Sequence, residues 1–290
     1  MNLNYKKPKV VSEIGCNHKG DFEIAKELIK ISKECDAEYV KFQKRNNKEL
    51  LSDEQYNAPH PNPHNSYGKS YGEHRENLEF SVSQHKELKS YCESIGVEYS
   101  TSVWDVTSAK EIIGLNPNFI KVPSACNLKF SMLEELRDRY DGNIQLSVGM
   151  TNLNEIENIV KFFEETNQSK ERLMLYSCTS GYPVPPSDVC LLEVKRLLEL
   201  YRHRVESIGF SGHHNGIALD IAAYTLGAEW IERHFTKDRT WKGTDHAASL
   251  EPAGLKKLVR DLNSTYSALK YKGKEILDIE KFQRDKLKSF

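Results

Sequence analysis

Short apolar segments rich in β-branched residues alternate along this chain with longer segments of helical periodicity. The apolar segments predict strands at about 9–14, 38–43, 97–101, 118–123, 144–148, 172–178, 206–211 and 229–234. Between them apolar residues recur at spacings of three and four, as in Asp21–Cys35 and Asn154–Thr166, which indicates amphipathic helices. Repeated strand–helix units in 290 residues predict an α/β fold, a single-domain (β/α)₈ TIM barrel. A doubly wound parallel sheet is the alternative, because the pattern does not give the strand order.

The predicted barrel occupies residues 1–271, and one connection in it is unusually long. Residues 44–79, rich in Asn, Pro, Gly and His, follow the second strand. A loop of this length in a compact domain is typically functional or disordered, and it leaves the end of the barrel where active sites lie. We therefore expect a lid or a contact arm. Residues 272–290 form a charged amphipathic tail, which we expect to be a closing helix.

The composition excludes several classes of protein. The chain has 41 Lys and Arg against 42 Asp and Glu, for a net charge of -1, which argues against a nucleic-acid surface. The sequence has no apolar run long enough to predict a membrane span, and the N-terminus lacks the pattern of a signal peptide. The six cysteines are scattered without a C-x-x-C pair, as is typical of reduced thiols. We expect a cytoplasmic protein that binds neither membrane nor nucleic acid.

Polar residues gather on one face of several predicted strands, toward the strand ends. Alternate residues of a strand point to opposite sides, so we expect the apolar face to meet the outer helices and the polar face to meet the barrel axis. The polar set includes Glu13, Tyr39, Lys41, Gln43, Gln145, Ser147, Ser211, His213, Glu232 and His234. Burying such groups is costly unless something pairs them. One interpretation is an internal ion-pair network of Lys41 and Lys121 with Glu13 and Glu232. The interpretation that we favour is a polar funnel for an anionic substrate.

The funnel has groups for a phosphate, a carboxylate and a divalent metal. Lysine binds phosphate as a point charge and hydroxyls complete the hydrogen bonds; the candidates are Lys41, Lys121, Thr101, Ser124, Ser147 and Ser211. His213 and His234 end neighbouring strands, and two imidazoles leave metal positions open for water and substrate. Strand parity favours His213 over the adjacent His214. Glu13 is the candidate general base, which nearby cations are expected to keep ionised.

Six segments closely resemble the sialic acid synthase (N-acetylneuraminate synthase) family. They are SEIGCNHKGDFEIAKELI, VKFQK, YGEHRENLEF, LYSCTSGYPVPPSDVCL, GFSGHHNGIALDIAAYTLGA and IERHFTKDRTWKGTDHAASLEP. The resemblance runs from about Lys9 to Leu262, and its last two segments are the most specific. It implies a (β/α)₈ transferase that condenses phosphoenolpyruvate with an aldose such as N-acetylmannosamine or its 6-phosphate, giving a sialic-acid-like 3-deoxy-2-ulosonic acid and phosphate. Two of the segments resemble the animal-type branch, which prefers a phosphorylated acceptor.

The same resemblance implies roles by position. The metal ligands are His213 and His234, with Mn²⁺ as the expected ion and Mg²⁺ or Co²⁺ as alternatives. The catalytic groups are Glu13, Lys41 and Lys121. Both lysines also belong to the phosphoenolpyruvate contacts, with Thr101, Ser124, Ser147, Ser180 and Ser211, and the acceptor contacts are Gln43, Tyr182 and Asp245. The family also commonly forms a barrel homodimer.

The chain departs from the family pattern in three places. Where the family has K-[IV]-x-S-G-[DE] on the fourth strand, this chain has KVPSACN, so Cys126 replaces an acceptor-binding acid and Asn127 is a candidate substitute. The family's T-N-x-Y-P or T-S-x-Y-P motif is TSGYP, with Ser180 at the variable position, a change within the family's range. The family's C-terminal antifreeze-like domain is not expected in these residues. If the 44–79 segment closes the site instead, Arg75 or His74 is a candidate donor to the acceptor.

Two other functions remain open on these residues. A Schiff-base pyruvate aldolase would use Lys41 or Lys121 as the nucleophile, and borohydride trapping that a chelator does not affect would identify it. A non-catalytic sugar-phosphate sensor derived from the synthase is compatible with the replaced acid at Cys126. The presence of both lysines and both histidines argues against the sensor.

Overall fold

Eight parallel strands form a closed barrel in sequence order in the computed structural model, which describes residues 5–167 and 169–288. The strands are Lys9–Gly15 (β1), Tyr39–Lys44 (β2), Glu98–Val103 (β3), Phe119–Val122 (β4), Asn143–Ser147 (β5), Leu173–Cys178 (β6), Ser207–Gly212 (β7) and Trp230–His234 (β8). β8 pairs with β1, which closes the barrel. The predicted (β/α)₈ fold is confirmed, and the doubly wound alternative is wrong because an open sheet has no such pairing.

Helices surround the barrel and follow the predicted periodicity. They are Phe22–Glu34 (α1), Asn47–Leu50 (α2), Asp53–Asn57 (α3), Tyr71–Asn77 (α4), Val82–Ile95 (α5), Val106–Ile113 (α6), Phe130–Arg139 (α7), Leu153–Glu164 (α8), Ser169–Arg172 (α9), Leu192–Tyr201 (α10), Ala218–Thr225 (α11), Pro252–Ala268 (α12) and Asp278–Leu287 (α13). In α1 the Asp21 carboxylate caps the backbone N–H groups of Glu23 and Ile24. Leu28 and Ile29 then face the strands, and both are fully buried. Such caps and apolar faces fix each helix against the barrel.

The barrel interior is apolar at one end and polar at the other. A small cluster of Val11, Phe119, Met174, Tyr176 and Trp230 fills the N-terminal end of the strands. The next inward positions along the strands carry charged and hydroxyl side chains, beginning with Glu13, Lys41 and Lys121. The apolar cluster therefore closes the bottom of the barrel, and the polar layer above it forms the floor of a site that opens at the C-terminal ends of the strands.

Residues 44–79 contain more regular structure than the predicted loop. They hold α2, α3 and α4, with N-caps supplied by Asn46, Ser52 and Ser70. The segment packs closely on the turn after β1: a Cβ added at Gly20, where φ is +78°, would lie 2.0 Å from the Asn77 carbonyl oxygen. Any side chain at that glycine would push α4 away from the barrel. We call residues 44–79 the lid segment, since they cover one side of the barrel mouth.

The C-terminal tail and the cysteines complete the description. α13 is helical as predicted, and none of its residues is buried. Its closing role stays a prediction. All six cysteines are free thiols. Among the described helices, none combines the length and the apolar character that crossing a membrane requires.

We predict that Phe163→Ala lowers the free energy of unfolding by about 3–5 kcal/mol, because it opens a cavity in the core between α8 and the barrel. Phe163 is fully buried. The matched control is Phe282→Ala on α13, where the ring is 71% exposed and a change within about 0.5 kcal/mol is expected. Urea unfolding measures both variants. Equal losses would contradict the placement of one ring in the core and the other on the surface.

Candidate active site

The predicted polar face of the strands lines one cavity at the C-terminal end of the barrel. Parallel pairing sets Glu13 beside Lys41 and beside His234, and Ser211 beside Glu232. The cavity has a volume of about 360 Å³, and we call it the strand-end cavity. Most of the predicted site residues line it, namely Glu13, Lys41, Gln43, Lys121, Ser124, Ser147, Ser180, Tyr182, Ser211, His213 and His234.

Two lysines and two glutamates form an ion-pair network at the floor of this cavity. The Lys41 Nζ lies 2.5 Å from Glu13 Oε2 and 3.8 Å from Glu232 Oε1. The Lys121 Nζ lies 3.1 Å from Glu232 Oε2 and 3.2 Å from the centre of the Tyr176 ring. All four charged side chains are buried yet line the cavity. The internal network that the sequence offered as an alternative is therefore present, and the same groups face the space where a ligand would enter.

Burial and charge act in opposite directions on these groups. Burial opposes ionisation of Glu232, but Lys121 and Lys41 prevail and lower its pKa to about 2. Burial lowers the pKa of Lys121 to about 8, although Glu232 opposes that shift. Burial also raises the pKa of Glu13, with Lys41 and His234 opposing the shift. Burial outweighs the neighbouring cations, so the pKa of Glu13 shifts in the opposite direction to the one that those cations alone would give, and its ionisation stays a prediction.

Hydroxyl groups surround the lysines. Ser102 accepts a hydrogen bond of 2.8 Å from the Lys41 ammonium, and Ser211 donates one of 3.1 Å to Glu232. Ser124 accepts a hydrogen bond of 3.1 Å from the Gly149 backbone N–H. A Cβ at Gly149 would lie 2.7 Å from the Ser180 Oγ and 2.8 Å from the Ser124 Oγ. A glycine there therefore lets both hydroxyls approach the cavity.

The two predicted metal ligands lie side by side, with ring centres 5.4 Å apart. The Nδ1 of His213 lies 3.0 Å from the Thr179 carbonyl oxygen, which leaves Nε2 free to coordinate. Burial, with repulsion from His234, lowers the pKa of His213 to about 4, so the ring is neutral. The Nδ1 of His234 is buried without a hydrogen-bond partner. Two adjacent imidazoles, one of them with a ring nitrogen that has no hydrogen-bond partner among the described residues, fit a divalent ion that keeps positions for water and substrate.

The contacts of the adjacent residues His213 and His214 show that His213 is the one that faces the cavity. His214 is buried on the other side of the strand, where its Nε2 lies 3.3 Å from Asp220 Oδ2. Arg233 pairs with the same carboxylate at 2.5 Å. The parity argument for His213 is therefore confirmed in its geometry. Within residues 5–167 and 169–288, no three metal-ligating side chains of His, Cys, Asp or Glu form a group, so a metal here would depend on the histidine pair.

Thr101 does not reach the strand-end cavity, and its predicted placement is wrong. β3 pairs with β2 so that Gln43 lies beside Ser102, while Thr101 lies beside Phe42 of the outer core. Strand alternation then turns Thr101 toward the helices, where its hydroxyl is buried without a hydrogen-bond partner. Ser102 takes the position in the cavity.

A second cavity of about 630 Å³ lies between the barrel mouth and the lid segment. We call it the lid cavity. It shares Gln43, Trp104, Tyr182 and His234 with the strand-end cavity. The predicted acceptor residue Asp245 lines the lid cavity, and its Oδ2 lies 3.9 Å from His234 Nδ1. His74 and Arg75 of the lid segment line it as well. A ligand in the strand-end cavity therefore has room to extend under the lid.

The altered motif after β4 gives the strand-end cavity an apolar wall. Cys126 is 3% exposed and does not line the cavity, whereas Pro123 and Ala125 do. Asn127 donates hydrogen bonds to the Ser147 carbonyl and to Thr151. Asn127 is 3% exposed and lines neither the strand-end cavity nor the cavity under residues 44–79, so it is not in position to substitute for the missing acid.

Several lining residues were missed from the sequence. They are Ser102, Trp104, Met150 and Cys178 in the strand-end cavity, and Arg45, His60 and Asn62 in the lid cavity. Knowledge of the register between β2 and β3 would have identified Ser102 as a lining residue, because that register places Ser102 on the same inner face as Lys41 and Gln43. The others follow the strand ends or belong to the lid segment, where strand parity gives no information.

Comparisons with known proteins show the family of this chain. The model of the NeuB family matches residues 28–274. The N-acetylneuraminate-9-phosphate synthase of Mus musculus is 37% identical over 278 residues, which cover 96% of this chain and 76% of the mouse protein. The N,N'-diacetyllegionaminic acid synthase of Campylobacter jejuni is 31% identical, over 91% of this chain and 78% of its own.

A solved structure of similar shape is the N-acetylneuraminic acid synthetase of Leptospira borgpetersenii in complex with citrate. It superposes with a TM-score of 0.80 at 26% identity, covering 97% of this chain and 93% of that one. The family match, the identities and the shared barrel agree with the motifs quoted above. The chain therefore belongs to the NeuB family, the family of sialic acid synthases that its sequence predicts.

Proposed function

We propose that this chain condenses phosphoenolpyruvate with an aldose, such as N-acetylmannosamine or its 6-phosphate, to form a 3-deoxy-2-ulosonic acid and inorganic phosphate. The observation that carries the proposal is the meeting of two buried lysines, a set of hydroxyls and a pair of adjacent histidines in one cavity. These groups suit a ligand with a phosphate and a carboxylate beside a carbonyl to be polarised. The named relatives are synthases of this type of acid.

Phosphoenolpyruvate fits the floor of the strand-end cavity. Lys41 and Lys121 supply point charges for its phosphate and carboxylate. Ser102, Ser124 and Ser211 lie around the ammonium groups and the cavity wall, where hydroxyls can complete the hydrogen bonds of the anion. This arrangement holds C3 of phosphoenolpyruvate toward the mouth, where the aldehyde of the open-chain sugar enters.

The reaction forms one C–C bond and breaks one C–O bond. C3 of phosphoenolpyruvate attacks the aldehyde carbon, whose oxygen becomes a hydroxyl after taking up a proton. The oxygen of a water molecule then forms a bond to C2. The bond between C2 and the bridging phosphate oxygen breaks, which releases phosphate and leaves a ketone. Glu13 lies at the centre of the cavity floor, and its raised pKa suits a group that gives up and regains a proton during the reaction.

His213 and His234 would hold the divalent ion, with Mn²⁺ as the expected ion. When bound, the ion supplies Lewis-acid polarisation of the aldehyde carbonyl. The Thr179 carbonyl orients His213, and the Tyr182 ring packs against His213 with ring centres 4.4 Å apart. These contacts position the imidazoles before any ligand enters.

A Schiff-base aldolase is the second candidate, and one observation favours it. Burial lowers the pKa of Lys121 to about 8, which brings a lysine toward the range of a nucleophilic amine. Its ammonium, however, lies 3.1 Å from Glu232, which stabilises the charged form. Pyruvate that becomes covalently attached to Lys121 on borohydride treatment would favour the aldolase over the synthase.

We predict that the chain releases phosphate from phosphoenolpyruvate only when an acceptor sugar and a divalent ion are present. The assay measures inorganic phosphate with Mn²⁺ across neutral and 6-phosphorylated N-acyl hexoses, with and without a chelator. We expect His213→Ala to lower kcat by roughly 100-fold or more, because the ion loses a ligand. The matched control is His203→Ala, since His203 is an exposed histidine outside the site.

Two outcomes of this assay would contradict the proposal. One is the absence of both binding and turnover of phosphoenolpyruvate, which would favour the non-catalytic sugar-phosphate sensor. The other is equal activity of the His213 variant and the wild type, which would separate the histidine pair from the chemistry.

We predict that Ser102→Ala and Thr101→Val differ in their effect on phosphoenolpyruvate. Ser102 bonds to the Lys41 ammonium within the cavity, so its loss should lower kcat/KM for phosphoenolpyruvate by about 10-fold. Thr101→Val keeps the shape of a side chain that faces the helices, and its kcat/KM should match the wild type. Steady-state kinetics with varied phosphoenolpyruvate measures both. The reverse pattern would show that Thr101, not Ser102, contacts this substrate.

A further inference from the structure

The lid cavity contains a buried arginine that has no ion-pair partner among the described residues. Arg75, on α4, is 8% exposed and lines this cavity. Among the residues that the structure describes, no carboxylate oxygen lies within ion-pair distance of its guanidinium, and its Nε is buried without a hydrogen-bond partner. The rings of Tyr71 and Trp104 flank the guanidinium, each 5.6 Å from its central carbon. Aromatic rings support a cation, but they do not supply an acceptor for its buried Nε.

The nearby charges do not explain this arginine. Arg45, which lines the same cavity, is paired with Glu79 and donates a hydrogen bond of 3.0 Å to the Cys16 sulfur. The Asp245 carboxylate lies instead near His234. Burial and repulsion from Arg45 lower the pKa of Arg75. An unpaired buried charge is expensive, so this arrangement is understandable if a ligand supplies the missing anion.

A second donor accompanies Arg75. The Nδ1 of His74 accepts a hydrogen bond of 3.1 Å from the Tyr67 backbone N–H. Burial, with repulsion from His60, lowers the pKa of His74 to about 4, so the ring is neutral. A neutral ring that accepts at Nδ1 carries its proton on Nε2. His74 therefore has an N–H to donate in the cavity that it lines together with Arg75.

The position of these donors indicates which part of a ligand they would meet. The lid cavity adjoins the strand-end cavity through Gln43, Trp104, Tyr182 and His234. In the proposed reaction the sugar aldehyde lies at the histidine pair, so the rest of the sugar extends under the lid. Its far end, away from the aldehyde, then lies on the side of Arg75. A guanidinium fork suits a phosphate in this position.

We propose that Arg75 is a specificity-determining residue that binds a phosphoryl group on the far end of the acceptor sugar, so that the chain selects a phosphorylated aldose over its neutral form. The inference rests on the proposed function, since the phosphate belongs to the acceptor of that reaction. His74 donates a second hydrogen bond to the same group. The lid segment thereby contributes to substrate choice as well as covering the site.

The test compares N-acetylmannosamine with its 6-phosphate at saturating phosphoenolpyruvate, in the wild type, Arg75→Ala and Arg75→Lys. We expect the wild type to prefer the phosphorylated sugar, and Arg75→Ala to lower kcat/KM for that sugar by about 10- to 100-fold, mainly through KM. The loss of kcat/KM on the neutral sugar should be much smaller than the loss on the phosphorylated sugar. Arg75→Lys, which keeps the charge but loses the fork, should fall between the two. The matched control is Lys69→Ala, which removes an exposed cation of the same segment.

Three kinetic results would overturn the inference. They are equal use of both sugars by the wild type, equal losses on both sugars in Arg75→Ala, and, in a second series with varied phosphoenolpyruvate at saturating sugar, a rise in KM for phosphoenolpyruvate alone. The second result would indicate a purely structural role, and the third would place Arg75 at the other substrate.

Calorimetric binding of N-acetylmannosamine 6-phosphate separates this inference from the proposed function. If the wild type shows no turnover but binds the phosphorylated sugar, and Arg75→Ala loses that binding, the synthase proposal fails and the anion site stands. If the wild type binds neither sugar, both fail.

Discussion

Two buried lysines and two buried glutamates above the apolar base of the barrel are the arrangement on which the rest of the site depends. Removing four charges from water is costly, and mutual pairing recovers only part of that cost. With all four ionised the network is neutral. Burial raises the pKa of Glu13, while Glu232 stays ionised beside both lysines. Glu13 is therefore easier to protonate than Glu232, and its protonation would leave the network with one net positive charge. In the proposed function that charge would be available to an anionic substrate.

The fold supports this network from both ends. The aromatic cluster of Phe119, Tyr176 and Trp230 excludes water from below and places the Tyr176 ring against Lys121. Above it, the close approach of the Ser124 and Ser180 hydroxyls to Gly149 keeps donors at the cavity wall. The lid segment then covers one side of the mouth. A change in any of these contacts would act on the site by moving the lysines. The polar interior is costly to bury, so the barrel around it must be stable enough to hold it in place.

Sequence reasoning succeeded where the strand period applied. Alternation placed Glu13, Lys41 and Ser211 on the inner face and chose His213 over His214, and the structure agrees. It failed at Thr101, because the strand was predicted to end at residue 101, whereas β3 continues to Val103 and the register with β2 brings Ser102 inward. The raised pKa of Glu13 also escaped prediction, since burial is a property of the whole barrel. The lid helices escaped because three short capped turns produce no long apolar period. The unpaired state of Arg75 depends on contacts that no pattern encodes.

The most direct test of the central claim is calorimetric binding of phosphoenolpyruvate to a double variant, Lys121→Met with Glu232→Gln. The two substitutions remove one positive and one negative charge, so neither a buried lysine nor a buried glutamate is left without its ion-pair partner. If the network is an anion site, affinity for phosphoenolpyruvate should fall about 10- to 100-fold, while the urea unfolding midpoint stays the same or rises. Unchanged affinity together with a lower midpoint would contradict the account and show that the ion pairs serve the fold alone.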